Sequence, residues 1–286
     1  MTSRFEQHEA IPIPACNLGH TTTPRYKWNK DGFDYLQCPT CGLIWVSPQL
    51  TDRAVAQIYA SSFKSKQQAH ERPTNFLAYR SRLRRLAPFR QYSRLLDVGC
   101  FTGNFLLAAQ ADGWRDVEGT EVSTPAVEFA RSAYGLNIHE GDLGSLDLPL
   151  DAYDVVTLSD VIEHVSDPLS TMQRAYQLLR PGGVLYMDTP HVISLPYFAL
   201  KQQWSVFFPW HRTLFTARSM RTALTQAGFH IDHLSTVGLL PFSTFNAWQA
   251  YMAESSIQHT SAIAQTSFVR QHRNRLRPLA GSETCQ

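Results

Sequence analysis

The stretch Leu95-Leu96-Asp97-Val98-Gly99-Cys100-Phe101-Thr102-Gly103-Asn104 constrains this chain more than any other. A short apolar run ends in an acid and a pair of glycines, and a helical pattern begins at once. A strand that turns this quickly into a helix is the opening unit of a doubly wound α/β sheet. The residues that follow keep the alternation. Segments 116–122, 136–139, 153–158 and 184–188 read as strands, and 103–111, 124–134 and 169–179 as the helices between them. Arg180-Pro181-Gly182-Gly183 stops the last of these helices, a later helix over 218–227 ends at Gly228, and Phe229-His230-Ile231 opens another strand. Such a sheet takes its ligands beyond the carboxyl ends of its strands, so chemistry is sought there first.

Around this core the texture changes twice. Residues 1–50 are rich in Pro, Thr, Cys and aromatics without helical period, with short strands at Tyr35-Leu36-Gln37 and Leu43-Ile44-Trp45-Val46. Residues 51–92 read as two helices forming a linker and cap, the first capped by Thr51 and carrying Val55, Ile58, Tyr59 and Phe63 at helical spacing. The main domain runs over 93–254, and 255–286 reads as a loosely attached polar tail with a basic cluster at Arg270, Arg273, Arg275 and Arg277. A net charge of +2 supplies no global drive toward nucleic acid. No run reaches the ~18 apolar residues of a membrane span, and the first residues lack the apolar stretch of a signal peptide, so a cytoplasmic location is expected.

Three acids then define a ligand. Asp97 sits inside the end of the first strand of the main domain, where a negative charge suits an ammonium or sulfonium group rather than a pyrophosphate. Glu121 closes the next strand, at the place where an acid grips both hydroxyls of a ribose. Asp142, in Glu140-Gly141-Asp142-Leu143, is placed to accept from an adenine amino group while Leu143 packs on the ring. Gly99 and Gly103 would let the first loop turn tightly beside the ligand. Cys100, Val122 and Ser159 are the neighbouring positions assigned to the same pocket, which suits an adenosyl ligand with a cationic amino-acid end.

On these motifs, together with Gly-Thr-Glu-Val-Ser at 119–123, Tyr-Asp-Val-Val-Thr-Leu-Ser-Asp-Val-Ile-Glu-His at 153–164 and Leu-Leu-Arg-Pro-Gly-Gly at 178–183, the stretch from Leu95 to Pro190 resembles the class I S-adenosylmethionine-dependent methyltransferases, especially the subgroup similar to ubiquinone-biosynthesis methyltransferases. The resemblance implies a mostly parallel, seven-stranded Rossmann-like sheet with one antiparallel strand near its edge. It also implies that Asp97, Gly99, Gly103, Glu121 and Asp142 serve S-adenosyl-L-methionine. Two departures stand out. Phe101 replaces a small residue, and its side chain fits only by pointing away from the ligand. The chain also ends, at 279–286, where the family's final strand would begin: either the chain is shortened, the strand comes from elsewhere, or the edge stays open.

Cys38-x2-Cys41-Gly42 places two thiolates within reach of one tetrahedral ion, and Cys16-x3-His20 supplies the other half of a Cys3His site for structural Zn2+. Many similar methyltransferases carry an N-terminal zinc ribbon with two Cys-x2-Cys halves; here Gly19 stands at the second cysteine of the first half and His20 follows. The competing reading is ordinary reduced thiols and a surface histidine. For the transfer step two histidines are candidates for general base: His164, directly after the fourth strand beside Asp160 and Glu163, and His211, within the aromatic segment 204–215. In similar methyltransferases that segment covers the active site; it reads here either as an aromatic lid or as a cluster closing the core edge. The arginine run Arg80, Arg82, Arg84, Arg85, Arg90 and Arg94 reads as a solvated face, or as the mouth of a cleft for an anionic substrate. The expected activity is methylation of an oxygen or carbon of a small-molecule acceptor, such as a sugar or secondary metabolite. An RNA or protein methyltransferase, or a non-catalytic S-adenosylmethionine-binding protein, are the alternatives. The exit Leu158-Ser159-Asp160-Val161 lacks the Asn/Asp-Pro-Pro-aromatic clamp of base amino-group methylation, which makes a nucleic-acid substrate the weaker one.

Overall fold

The computed structural model describes residues 8–61, 63, 73–90, 94–236 and 264–270. The chain opens with β1 (Ala10–Ile11), β2 (Arg25–Lys30), β3 (Phe33–Gln37), β4 (Ile44–Ser47) and β5 (Gln49–Leu50), and β1 pairs antiparallel with β5. Helix α1 (Asp52–Ser61) follows, capped as expected by Thr51, whose hydroxyl accepts from the Ala54 amide at 3.3 Å. Helix α2 (Pro73–Leu86) leads into the main sheet.

That sheet alternates β6 (Arg94–Val98), α3 (Asn104–Ala111), β7 (Asp116–Glu121), α4 (Thr124–Tyr134), β8 (Asn137–Glu140), β9 (Tyr153–Ser159), α5 (Pro168–Leu178) and β10 (Leu179–Pro190). A short α6 (Leu195–Leu200), β11 (Thr213–Leu214), α7 (Ala217–Gln226), β12 (His230–Thr236) and β13 (Ala264–Arg270) complete the described chain. The strand order is β12-β13-β10-β9-β6-β7-β8, with β10, β9, β6, β7 and β8 mutually parallel and β13 antiparallel to both its neighbours.

Burial explains the two layers. Leu95 and Val155 face α2, α3 and α4, packing with Leu83, Leu86, Phe105, Leu106 and Val127. Their neighbours Leu96 and Val156 face the other way, onto Met172, Ala175, Met220 and Leu224 of α5 and α7. Central strands covered on both faces read as continuous apolar runs, which is why these two were visible in the sequence.

One expectation is corrected. The stretch beginning at residue 255 is not only a tail: Ala264–Arg270 inserts between β10 and β12, pairing along seven residues of β10 from Val184 to Pro190. The family's last strand therefore lies earlier than 279–286, which fall outside the described residues together with Cys285. Gln265, Thr266 and Ser267 are polar in a row, without the alternation that marks a half-buried strand, which hid a strand whose backbone bonds supply its place. Of the two readings of the aromatic segment 204–215, burial favours the cluster closing the core edge. Phe207 packs edge-on against Trp28 and Tyr35 at 4.9 and 5.2 Å between ring centres, and Trp204, Phe207 and Phe215 are buried. β11 extends the N-terminal sheet, giving the order β11-β4-β3-β2, so β2, β3 and β4 share a sheet with a strand of the main domain.

Candidate active site

After β6 the chain winds outward through β7 and β8, then returns to lay β9 on the other side of β6. Chain paths diverge there, opening a crevice at the carboxyl ends of β6 and β9, the position at which open α/β sheets bind ligands. Asp97 and Thr157 face each other across this junction and are joined by a hydrogen bond from the Thr157 hydroxyl. Asp97 is only 4% exposed. Burial pushes its carboxyl up to about 6, against the opposing pull of Arg82 and the Thr157 bond.

Asp97 belongs to a larger group of carboxylates. Asp160, directly after β9, opens onto the crevice while protein walls it in; burial, then the nearby Asp188, push its carboxyl up to about 7. Asp188, in β10, is raised by burial and accepts from Ser159 at 3.2 Å and Arg82 at 3.4 Å. Arg82 lies over the Phe105 and Tyr186 rings, and it is the member of the arginine run that turns inward; Arg80, Arg84, Arg85 and Arg90 are exposed. Among the described residues, one guanidinium, that of Arg82, thus faces Asp97, Asp160 and Asp188.

Glu121 ends β7 and holds the first loop. Its two carboxylate oxygens accept from the Phe101 amide at 2.9 Å and the Ser123 amide at 2.8 Å. Beside it Val122 is 43% exposed, an apolar side chain left open next to a buried acid. In Asp142, Oδ1 accepts from the Gly144 and Ser145 amides at 2.9 and 3.0 Å, so one oxygen caps a turn. Leu143 is buried in the core beneath, rather than standing over the crevice.

The two glycines of the first loop have left-handed φ angles of 67° and 78°. A Cβ on Gly99 would stand 2.6 Å from Val161 Cγ2, and one on Gly103 2.2 Å from Leu136 Cδ1. Packing against the protein thus demands these glycines. The Cys100 thiol turns down into the core below the loop, where burial raises its pKa. Phe101 adopts a left-handed φ of 50° and is buried, its ring centre 5.7 Å from that of Phe63.

On the other side of β9 lie the candidate bases. The Nδ1 atoms of His164 and His211 are 2.9 and 2.8 Å from the carbonyls of Trp210 and Val206, which fixes Nδ1 as the protonated nitrogen and Nε2 as the basic one in each neutral ring. The two rings meet edge to face at 4.6 Å. Glu163 is buried, accepts from Thr189 at 2.9 Å, and has Oε1 3.9 Å from His164 Nε2. Burial and the Asp160 charge raise its pKa above the ordinary carboxyl value. One donor atom from each of Glu163, His164 and His211 falls within 4.8 Å of the others. Tyr59, read in the sequence only as an apolar position of α1, packs edge-on against His164 at 5.7 Å and faces the charges of Glu163, Glu121 and Asp160. It spans the two halves of the site. Asp188 was missed as well, although it ends an apolar strand just as Asp97 does.

The four N-terminal ligand candidates converge. Donor atoms of Cys16, His20, Cys38 and Cys41 all lie within 4.8 Å of one another, with Cys16 Sγ 3.7 Å from Cys41 Sγ and 3.6 Å from His20 Nδ1. A tetrahedral metal with sulfur bonds of about 2.3 Å has edges of about 3.7 Å, so this spacing fits zinc. The amides of Gly19 and Gly42 close the two turns onto the carbonyls of Cys16 and Cys38, each at 2.9 Å. Crowding also sets the thiols against each other: the contact with Cys41 pulls Cys16 down, and the same contact pushes Cys41 up.

A doubly wound sheet of five parallel strands, with Asp97 and Glu121 near the ends of adjacent strands, has the architecture of an α/β protein of the methyltransferase type. Residues 69–234, more than half of the chain, match the family described as Methyltransferase domain, and the chain belongs to the class I S-adenosylmethionine-dependent methyltransferases. It is 38% identical over 106 residues to a ubiquinone biosynthesis O-methyltransferase of Haemophilus ducreyi, an alignment covering 34% of this chain and 44% of that protein. It is 26% identical over 174 residues to the enzyme of the same name from Parvibaculum lavamentivorans, covering 56% and 67%. The chain spans about half the length of the curated relatives it matches. Among solved structures, the [4+2]-cyclase SpnF shares the fold with a TM-score of 0.56 at 19% identity, over 78% of this chain and 96% of that one. An S-adenosylmethionine-dependent methyltransferase of Thermotoga maritima aligns with a TM-score of 0.50 at 19% identity, over 75% and 99%.

Proposed function

We propose that this chain transfers a methyl group from S-adenosyl-L-methionine to an oxygen or carbon of a small-molecule acceptor, such as a sugar or secondary metabolite. The observation that carries the reading is the group of carboxyls around one guanidinium, Arg82, with Asp97 and Asp188 buried and Asp160 open, which a cationic amino-acid end would neutralise. S-adenosylmethionine supplies an electrophilic methyl on its sulfonium. Asp97 faces the cationic end, Glu121 the ribose hydroxyls, the second oxygen of Asp142 the adenine amino group, and Val122 a face of the ring. Glu121 combines this role with holding the loop amides, so it orients the loop and ligand together. His211 and His164 serve as the base that takes the acceptor's proton, with Glu163 beside them. The Cys16, His20, Cys38 and Cys41 site holds one structural Zn2+, since four protein donors leave no open position.

Calorimetry of the purified protein with S-adenosylmethionine, followed by an acceptor screen with radiolabelled methyl donor, tests the reading. His211→Gln is expected to lower turnover about 100-fold or more while donor affinity stays within about twofold. Absence of donor binding, or equal loss of binding and turnover in His211→Gln, refutes it.

A further inference from the structure

The two Cys/His turns sit on the acceptor half of the site. Turn 38–42 runs directly into β4, whose Ile44 and Trp45 pair with Leu214 and Thr213 of β11. The Val46 amide donates to the Arg212 carbonyl at 3.0 Å, one residue after His211. The Thr216 hydroxyl donates to the Cys41 carbonyl at 3.4 Å, and a Cβ on Gly42 would stand 3.2 Å from that same hydroxyl oxygen. Turn 16–20 grips the companion segment: Asn17 Nδ2 donates to the Ser166 carbonyl at 3.4 Å, two residues after His164, and Gln226 of α7 donates to the Leu18 carbonyl at 3.4 Å. The two gripped segments are themselves joined by the Thr213 amide, which donates to the Glu163 carbonyl at 3.2 Å. Among the described residues, no hydrogen bond runs from either turn to the loops carrying Asp97, Glu121 or Asp142.

We infer that the Cys3His centre is a positioning device for the acceptor side: closing its two turns on a metal fixes the segments that carry His164 and His211 against each other, and leaves the donor side alone. The inference deepens the proposed function, resting on it for what the two halves do. Its physical basis is that a metal cross-links turns 38–42 and 16–20, each of which grips one histidine-bearing segment. Without that link, the two segments lose a shared brace and keep the Thr213–Glu163 bond, the His164 bond to the Trp210 carbonyl, and the bonds of Ser166 and Arg212 to Asp52. The donor loops are braced separately, through Glu121 and the glycine packing already described.

The test uses the full chain with Zn2+, with Co2+ in its place, and after chelation under reducing conditions. The Co2+ protein is expected to show the intense visible d–d bands and the thiolate charge-transfer band of a tetrahedral S3N site. Metal-free protein is expected to bind S-adenosylmethionine within about threefold of the zinc form by calorimetry. The ring signals of His164 and His211, followed by NMR of 13C-histidine-labelled protein and assigned with His164→Gln and His211→Gln, are expected to broaden or move, and to return when Zn2+ is added back. Thr216→Val, which removes the bond to the Cys41 carbonyl but no ligand, is expected to keep the cobalt spectrum and donor affinity while shifting the His211 signal. Three results overturn the inference: histidine signals indifferent to metal, a Thr216→Val protein with an unmoved His211, or loss of donor binding together with the metal. Failure of the zinc form itself to bind the donor would instead strike at the proposed function.

Discussion

Replacing Asp97 by Asn separates what the fold wants from what the ligand wants. In the protein without ligand the Asp97 carboxyl titrates at about 6 against an ordinary value of 3.8, because burial penalises its charge more than Arg82 and Thr157 relieve it. A rise of roughly two units costs up to ~3 kcal/mol once the group is ionised. The sign follows from proton counting: between about 4 and 6 the folded state binds more protons than the unfolded state, so stability falls as pH rises through that window and is level above it. Asn keeps the shape and an oxygen for the Thr157 hydroxyl, removes the charge, and deprives Arg82 of one partner. The net expectation at pH 7 is a gain of about 1–2 kcal/mol in urea unfolding, and disappearance of the pH 4–6 slope. Donor affinity is expected to move the other way, falling about 100-fold with loss of a buried charge-assisted contact. In the parent protein that affinity is expected to strengthen as pH rises through about 6, while in Asp97→Asn it stays flat. A variant less stable than the parent at pH 7, or one that binds the donor as tightly, refutes the argument that this carboxyl is held at a cost for the ligand's cation.

Two further outcomes are expected. Gly103→Ala places a methyl 2.2 Å from Leu136 Cδ1 on backbone at a φ of 78°, so thermal unfolding should show a loss of about 2–3 kcal/mol, partly restored by Leu136→Ala; a loss below about 0.5 kcal/mol would mean the loop is not held as described. Tyr59→Phe keeps the ring against His164 and removes the hydroxyl that faces Glu163, Glu121 and Asp160, so turnover with the screened acceptor should fall about tenfold with donor affinity within twofold; unchanged turnover would reduce Tyr59 to packing.

The parallel strands were legible because their signal is local. β6, β9 and β10 are continuous apolar runs, and each is followed within a few residues by a turn and a helix, so no distant partner is needed to recognise them. β2 and β13 carry no such signal. Arg25-Tyr26-Lys27-Trp28-Asn29-Lys30 lies at the edge of its sheet with half its side chains in water, and β13 takes its place through backbone pairing with strands whose nearest residues lie about thirty to eighty positions earlier. Edge and inserted strands of this kind are specified by their neighbours, which periodicity within one segment does not report.

The site divides along the same line. Asp97, Glu121 and the glycines are legible from the strand–turn–helix spacing, and so is the Cys38-Cys41 pair. Asp97 and Glu121 come close because they lie near the carboxyl ends of adjacent parallel strands, β6 and β7. The acceptor side is assembled from pieces that the chain keeps apart: Tyr59 from α1, His164 from the β9 exit, and His211 from the segment before β11. Composition described 204–215 as aromatic, which suits a lid and a core equally. Trp28 and Tyr35, from strands about 170 residues earlier, decide the matter by offering Phe207 two edge-on faces, and Ile44 and Trp45 do so by pairing with β11. Burying those rings is what leaves His211 fixed at the surface of a core rather than swinging on a loop, with its Nδ1 held by the Val206 carbonyl and its ring against His164. If His211 is the base, as proposed, holding it this way would cost little entropy on meeting the acceptor, and the aromatic cluster would serve the chemistry through rigidity rather than through contact with substrate.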